Sequence, residues 1–145
     1  MMTINRKFPN TRLRRLRRNS NLINLVAETN LSSQDLIQPI FIKENFNGIE
    51  SIESMPGINR FGIDKALKEI EEVIESGINT IAVFPVVESD KKDSKGSEAS
   101  KEDNFISSAI KTIKKDFPNI ILIADVALDP YTDHGHDGIL INDEI

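Results

Sequence analysis

The chain has 145 residues, 39% hydrophobic and 28% charged, which suits a single domain that buries a core rather than a disordered segment. It contains no cysteine, which excludes a disulfide scaffold, a thiolate zinc site and a cysteine nucleophile. The net charge of −5 is unevenly spread: residues 1–20 carry seven basic side chains (Arg6, Lys7, Arg12, Arg14, Arg15, Arg17, Arg18) and no acid, against eleven basic and 23 acidic residues in the remainder. Such an arm reads as a nucleic-acid contact, an organelle-targeting peptide or a segment that docks on an acidic surface. No apolar stretch of about 7–15 residues follows it, which argues against a secretory signal. No apolar run approaches the roughly 18 residues of a membrane span, so a soluble intracellular protein is expected.

After the arm, residues 21–33 hold a short apolar patch (Leu22, Ile23, Leu25, Val26) suited to a helical turn or two. Residues 35–43, DLIQPIFIK, read as a strand whose Pro39 marks either a sheet edge or an irregular start. Residues 44–62, punctuated by Gly48, Pro56 and Gly57, read as a loop with room for a short hairpin. Asp64 is placed as the N-cap of a helix whose apolar stripe is Ala66, Leu67, Ile70, Val73 and Ile74, with Gly77 as its stop. A strand over 78–86 follows, then a charged loop over 88–101, longer than a plain connection needs. Ser100 with Asp103 suggests a capping box for a second helix with the stripe Ile106, Ala109, Ile110, Ile113 and Phe117, closed by Pro118. Residues 119–128 read as a third apolar strand. Continuous apolar strands alternating with amphipathic helices indicate an α/β fold with a parallel sheet.

The densest chemistry lies at and beyond the end of that third strand: Asp125, Asp129, Asp133, His134, His136 and Asp137. In parallel α/β sheets the loops after strand C-termini are where ligands bind. Carboxylates and imidazoles gathered there suit a divalent cation or acid–base work, or else merely cap a polar turn. The sequence has no GxGxxG, GxxxxGK[ST], GxSxG or HExxH. Lys43, Lys91, Lys92 and Lys95 read as solvated surface charges.

The string DVALDPYTDHGHDGI, residues 125–139, resembles the metal-region motif of the porphobilinogen synthase (delta-aminolevulinic acid dehydratase) family. The likeness extends to RLRRLRR from Arg12, DLIQPIFI from Asp35, SMPGINR from Ser54, Phe84-Pro85-Val86, and the segment carrying Lys92, Asp93, Gly96, Ser97, Glu98 and Ala99. It implies the N-terminal part, about three βα units, of a (β/α)8 TIM barrel that takes roughly 250 residues to close. An extended basic N-terminal arm over 1–33 would precede a partial barrel over 34–145. The implied reaction condenses two 5-aminolevulinate molecules to porphobilinogen with loss of two waters, through two Schiff-base lysines in the second half of the barrel. No lysine of this chain corresponds to either, so the 145 residues are expected to be inactive alone. Where zinc-type members carry three cysteines, this chain has Ala127, Asp129 and Asp137, a set that disfavours zinc and suits a hard ion such as Mg²⁺.

Asp129 and Asp137 are therefore expected to line the active site, with Asp133 departing from the Ser or Thr usual at its position. Arg12, Arg14, Arg15, Arg17 and Arg18 are expected to dock the arm on a neighbouring subunit of a homo-octamer, with no nucleic-acid or membrane partner. A cytoplasmic location is expected, with a plastid transit peptide as the other reading of the arm. Two other functions remain open on the sequence: a metal-dependent hydrolase built on the loop from His134 to Asp137, and a non-catalytic α/β module with a basic interaction arm.

Overall fold

A computed structural model describes residues 7–9, 11, 12, 14–141 and 144. Arg6 and Leu13 of the arm, and Asn142, Asp143 and Ile145 of the terminal GILINDEI run, lie outside the described residues. The chain forms two compact units that part between Ser32 and Ser33. In the first, a 3₁₀ turn over Arg15–Arg17 precedes helix α1, Ser20–Leu25, and the Arg12 guanidinium lies 5.3 Å from the centre of the Phe8 ring. Asn19 caps α1, its side-chain oxygen accepting from the Leu22 amide at 2.9 Å.

The second unit is a five-stranded sheet with helices α2, Ile63–Glu75, and α3, Phe105–Asp116. Its strands are β1 Gln38–Lys43, β2 Ile49–Ser51, β3 Asn59–Phe61, β4 Thr80–Val86 and β5 Ile121–Ala124, in the spatial order β2-β3-β1-β4-β5. β1 runs parallel to β3 and β4, β4 runs parallel to β5, and β2 pairs with β3 as an antiparallel hairpin. The register sets Ile40 beside Val83 and Ile81 beside Leu122, so one sheet face presents Ile40, Ile42, Ile81 and Val83 together. Ala66, Ile70 and Val73 of α2 and Ile106, Ala109 and Ile113 of α3 pack on that face, as their spacing predicts. Each fully buried isoleucine there contributes about 1.5–3 kcal/mol. The opposite face is less covered: Ile121 of the terminal strand is 62% exposed, and Ile123 also faces solvent.

Several local expectations are corrected. β1 is interior to the sheet, not an edge. Pro39 is tolerated because it precedes the stretch paired with β3, which begins at Phe41, and its missing N–H breaks no ladder there. The loop over 44–62 does hold a hairpin, so two short strands join the three expected ones. Gly62, not Asp64, is the N-cap of α2; Asp64 lies in the first turn, where its carboxylate complements the helix dipole. Ser100 ends a 3₁₀ turn, Ser97–Ser100, and Asn104 caps α3 by accepting from the Ser107 amide at 2.9 Å. Gly77 does stop α2: at φ +88° it donates to the Ile74 carbonyl while Ile78 donates to Val73, and a Cβ there would meet Ser33 Oγ at 2.7 Å.

Candidate functional site

The loops after β4 and β5 leave the same end of the sheet and are stitched together. Asp93 and Thr132 form a parallel backbone bridge: the Asp93 amide donates to the Tyr131 carbonyl at 3.3 Å, and Asp133 donates to the Asp93 carbonyl at 3.1 Å. The Asp93 carboxylate oxygen accepts from the Lys95 amide at 2.8 Å and the Ser97 amide at 3.1 Å. Those amides, Ser97 foremost, hold its pKa below the ordinary carboxylate value.

β5 is shorter than the apolar run suggests. At Asp125 the backbone still donates to Val83, but the side chain accepts from the Ala127 amide at 3.1 Å and turns the chain out of the sheet. The loop beyond is held largely by its own acids and hydroxyl. Asp137 Oδ1 accepts from both the Leu128 and Asp129 amides, the latter at 3.0 Å. Thr132, 1% exposed, directs its hydroxyl at the carbonyls of His136, 3.0 Å, and Asp129, 3.3 Å. Asp129 and Asp137 are thus brought side by side, both exposed at the sheet end.

His134 and His136 lie with their rings 6.0 Å apart. His134 Nδ1 accepts the His136 amide at 3.3 Å, so its neutral ring carries the proton on Nε2, which donates to the Ser94 carbonyl at 3.3 Å. Both nitrogens of His134 serve the loop, an arrangement that does not suit a hydrolase metal ligand. Among the described residues no three His, Asp or Glu side chains converge as a metal site.

Beside this loop lies a cavity of about 350 Å³ between the start of α3 and residues 124–131. Tyr131 is buried at its wall; burial first, then the charges of Asp125 and Glu98, raises the phenol above its ordinary value. Glu98 is itself buried and pairs with Lys101 at 2.6 Å. A larger groove of about 550 Å³, between residues 43–47 and α3, holds none of the acidic loop residues. Lys43 and Lys91 are not free surface charges: Lys43 pairs with Glu50 at 2.9 Å and Lys91 with Glu44 at 2.5 Å. Sequence reasoning missed the structural parts of Asp93 and Thr132. Of these only the Asp93–Gly96 spacing carried a signal, that of a side-chain-capped turn.

A profile of the delta-aminolevulinic acid dehydratase family matches residues 10–145. The chain belongs to that family. Delta-aminolevulinic acid dehydratase of Chlamydia pneumoniae is 46% identical over 134 residues, covering 92% of this chain and 40% of the relative. The Helicobacter pylori protein is 44% identical over 132 residues, covering 90% of this chain and 40% of the relative. The crystal structure of the Toxoplasma gondii enzyme, porphobilinogen synthase in complex with the reaction product porphobilinogen, superposes with a TM-score of 0.85 at 36% identity. That match covers 91% of this chain and 37% of the other. The chain therefore spans about two fifths of the length of these dehydratases, and its sheet corresponds to part of the porphobilinogen synthase barrel.

Proposed function

We propose that these residues form the N-terminal section of a porphobilinogen synthase, which joins two 5-aminolevulinate molecules into porphobilinogen and releases two waters. The observation that carries this reading is the acidic loop over 125–138, folded at the C-terminal ends of the parallel strands β4 and β5 beside a cavity, within a chain of this family. Asp129 and Asp137 line the substrate site. One oxygen of Asp137 is committed to the loop amides, which leaves its second oxygen and the Asp129 carboxylate to orient a substrate ammonium or a water. A three-thiolate zinc site does not fit, because Ala127 offers no donor and both remaining positions are carboxylates. Such oxygens suit Mg²⁺, and Asp129 and Asp137 are the residues that would hold it, the ion then supplying positive charge to orient substrate.

The Schiff-base chemistry needs amines placed opposite this loop, and a protonated imine is a better electrophile than the ketone it replaces. Those amines belong to further barrel units, so residues 1–145 alone are inactive. The arginines of the arm (Arg12, Arg14, Arg15, Arg17, Arg18) dock on the acidic surface of a neighbouring subunit in a cytoplasmic homo-oligomer, an octamer in the family pattern.

The test is porphobilinogen formation by the protein as its gene encodes it. Asp129→Ala and Asp137→Ala are each expected to lower kcat/KM by about 100-fold or more, the scale of a lost positioned acid–base or orienting group. Turnover within a few-fold of the parent in both variants would refute the assignment.

A further inference from the structure

We propose that Asp93, on the loop after β4, is a positioning residue that sets the place of Asp129 and Asp137; this rests on the reading of their loop as the substrate site. Asp93 acts at two levels. Its carboxylate folds residues 93–97 by accepting the Lys95 and Ser97 amides. That turn aims the Asp93 amide and carbonyl at Tyr131 and Asp133, the middle of the acidic loop. The pairing is main chain to main chain, so it fixes backbone position irrespective of the side chains opposite.

Gly96 gives an independent observation. It is buried at φ +62°, and a Cβ placed on it would come within 3.5 Å of Leu128, Tyr131 and Thr132 side chains. The turn that Asp93 caps is therefore packed against the acidic loop as well as bonded to it. From Thr132 the link continues through its hydroxyl to the carbonyls of Asp129 and His136. His134 adds a third tie, to the Ser94 carbonyl inside the same turn. Asp93 itself is exposed and reaches neither Asp129 nor Asp137 directly, which makes it a positioning rather than a catalytic residue.

Three substitutions separate geometry from charge. Asp93→Asn keeps an oxygen acceptor in place, Asp93→Glu keeps the charge but moves the acceptor, and Asp93→Ala removes it. Amide hydrogen exchange of the protein as its gene encodes it is the first measurement. Asp93→Ala and Asp93→Glu should speed exchange at Leu128, Asp129 and Asp133 by about fivefold to tenfold, the scale of one lost hydrogen bond. Asp93→Asn should match the parent, and Ile81 and Val83 of β4 should exchange as before, which reports that the core is folded. Where Asp93→Ala does not fold, Asp93→Glu carries the test.

The second measurement is turnover: kcat should fall in Asp93→Ala and Asp93→Glu and return in Asp93→Asn. Faster exchange confined to residues 94–97 would overturn the proposal, as would unchanged kcat in an enzyme that Asp129→Ala inactivates. Unchanged turnover in Asp129→Ala would instead sink the substrate-site reading, with the exchange pattern still deciding whether Asp93 holds the loop.

Discussion

Replacing Thr132 by valine isolates the hydroxyl that spans the acidic loop. The side chain is buried, and valine keeps its shape, including the methyl group facing Gly96. The hydroxyl has one proton and two carbonyls within reach, His136 at 3.0 Å and Asp129 at 3.3 Å, so a single bond is lost, not two. A net hydrogen bond of about 1 kcal/mol, raised by the cost of leaving a part-buried carbonyl dry, puts the loss at about 1–3 kcal/mol. At about 1.4 kcal/mol per tenfold, the loop should open roughly 5- to 150-fold more often. Hydrogen exchange at the Leu128, Asp129 and Asp133 amides reads that opening, with Ile81 and Val83 as unchanged references. Thr132→Ser, which keeps the hydroxyl, should stay near the parent. Parent-like exchange in Thr132→Val together with fast exchange in Thr132→Ser would show that the methyl holds the loop, and would refute the hydroxyl's part.

The core and an ion-pair cluster give two further tests. Ile81 sits fully buried on interior strand β4, so Ile81→Ala should cost about 2–5 kcal/mol in denaturant unfolding, and a loss below about 1 kcal/mol would place the core elsewhere. Glu50 accepts from Lys43 at 2.9 Å and from Arg60 at 2.6 Å, and these bonds, Lys43 foremost, hold its pKa below the ordinary 4.5. A carboxylate depressed in the folded state contributes stability above its unfolded pKa and loses that contribution as pH falls through the folded one. The stability gap between parent and Glu50→Gln should therefore be full near neutrality and shrink below about pH 4.5, modestly because the pair is solvent-screened. A gap that widened on acidification would reverse the assignment.

What the sequence made legible was what periodicity and composition carry. The stripes of α2 and α3 were readable because Ala66, Ile70 and Val73, and Ile106, Ala109 and Ile113, recur at helical spacing and all reach the core. The acidic loop was readable because both histidines and four aspartates crowd thirteen residues after an apolar run. The two N-caps were misplaced by two and four residues, since Asp64, Ser100 and Asn104 all have capping chemistry and only backbone geometry chooses among them. β2 and β3 span three residues each, too short for alternation to register. The link between Asp93 and Thr132 was beyond reach for another reason. It joins backbone groups 39 positions apart, and main-chain hydrogen bonds leave almost no trace in residue type.

On the proposed reading of this loop as a carboxylate site, its aspartates do more than select an ion. In a thiolate site the metal folds the loop, because ligands from separate positions converge only on the ion. Here a covalently attached anion already bridges part of that distance: Asp137 reaches back to the Leu128 and Asp129 amides, nine and eight residues away. Thr132 spans the same loop from inside, and Asp93 pins it from the neighbouring strand end. Among the described residues, neither the Asp129 carboxylate nor the second oxygen of Asp137 accepts a backbone hydrogen bond. If this loop is the substrate site proposed above, two acidic oxygens are ordered at the end of the sheet before a ligand arrives, which lowers the ordering cost that binding would otherwise carry.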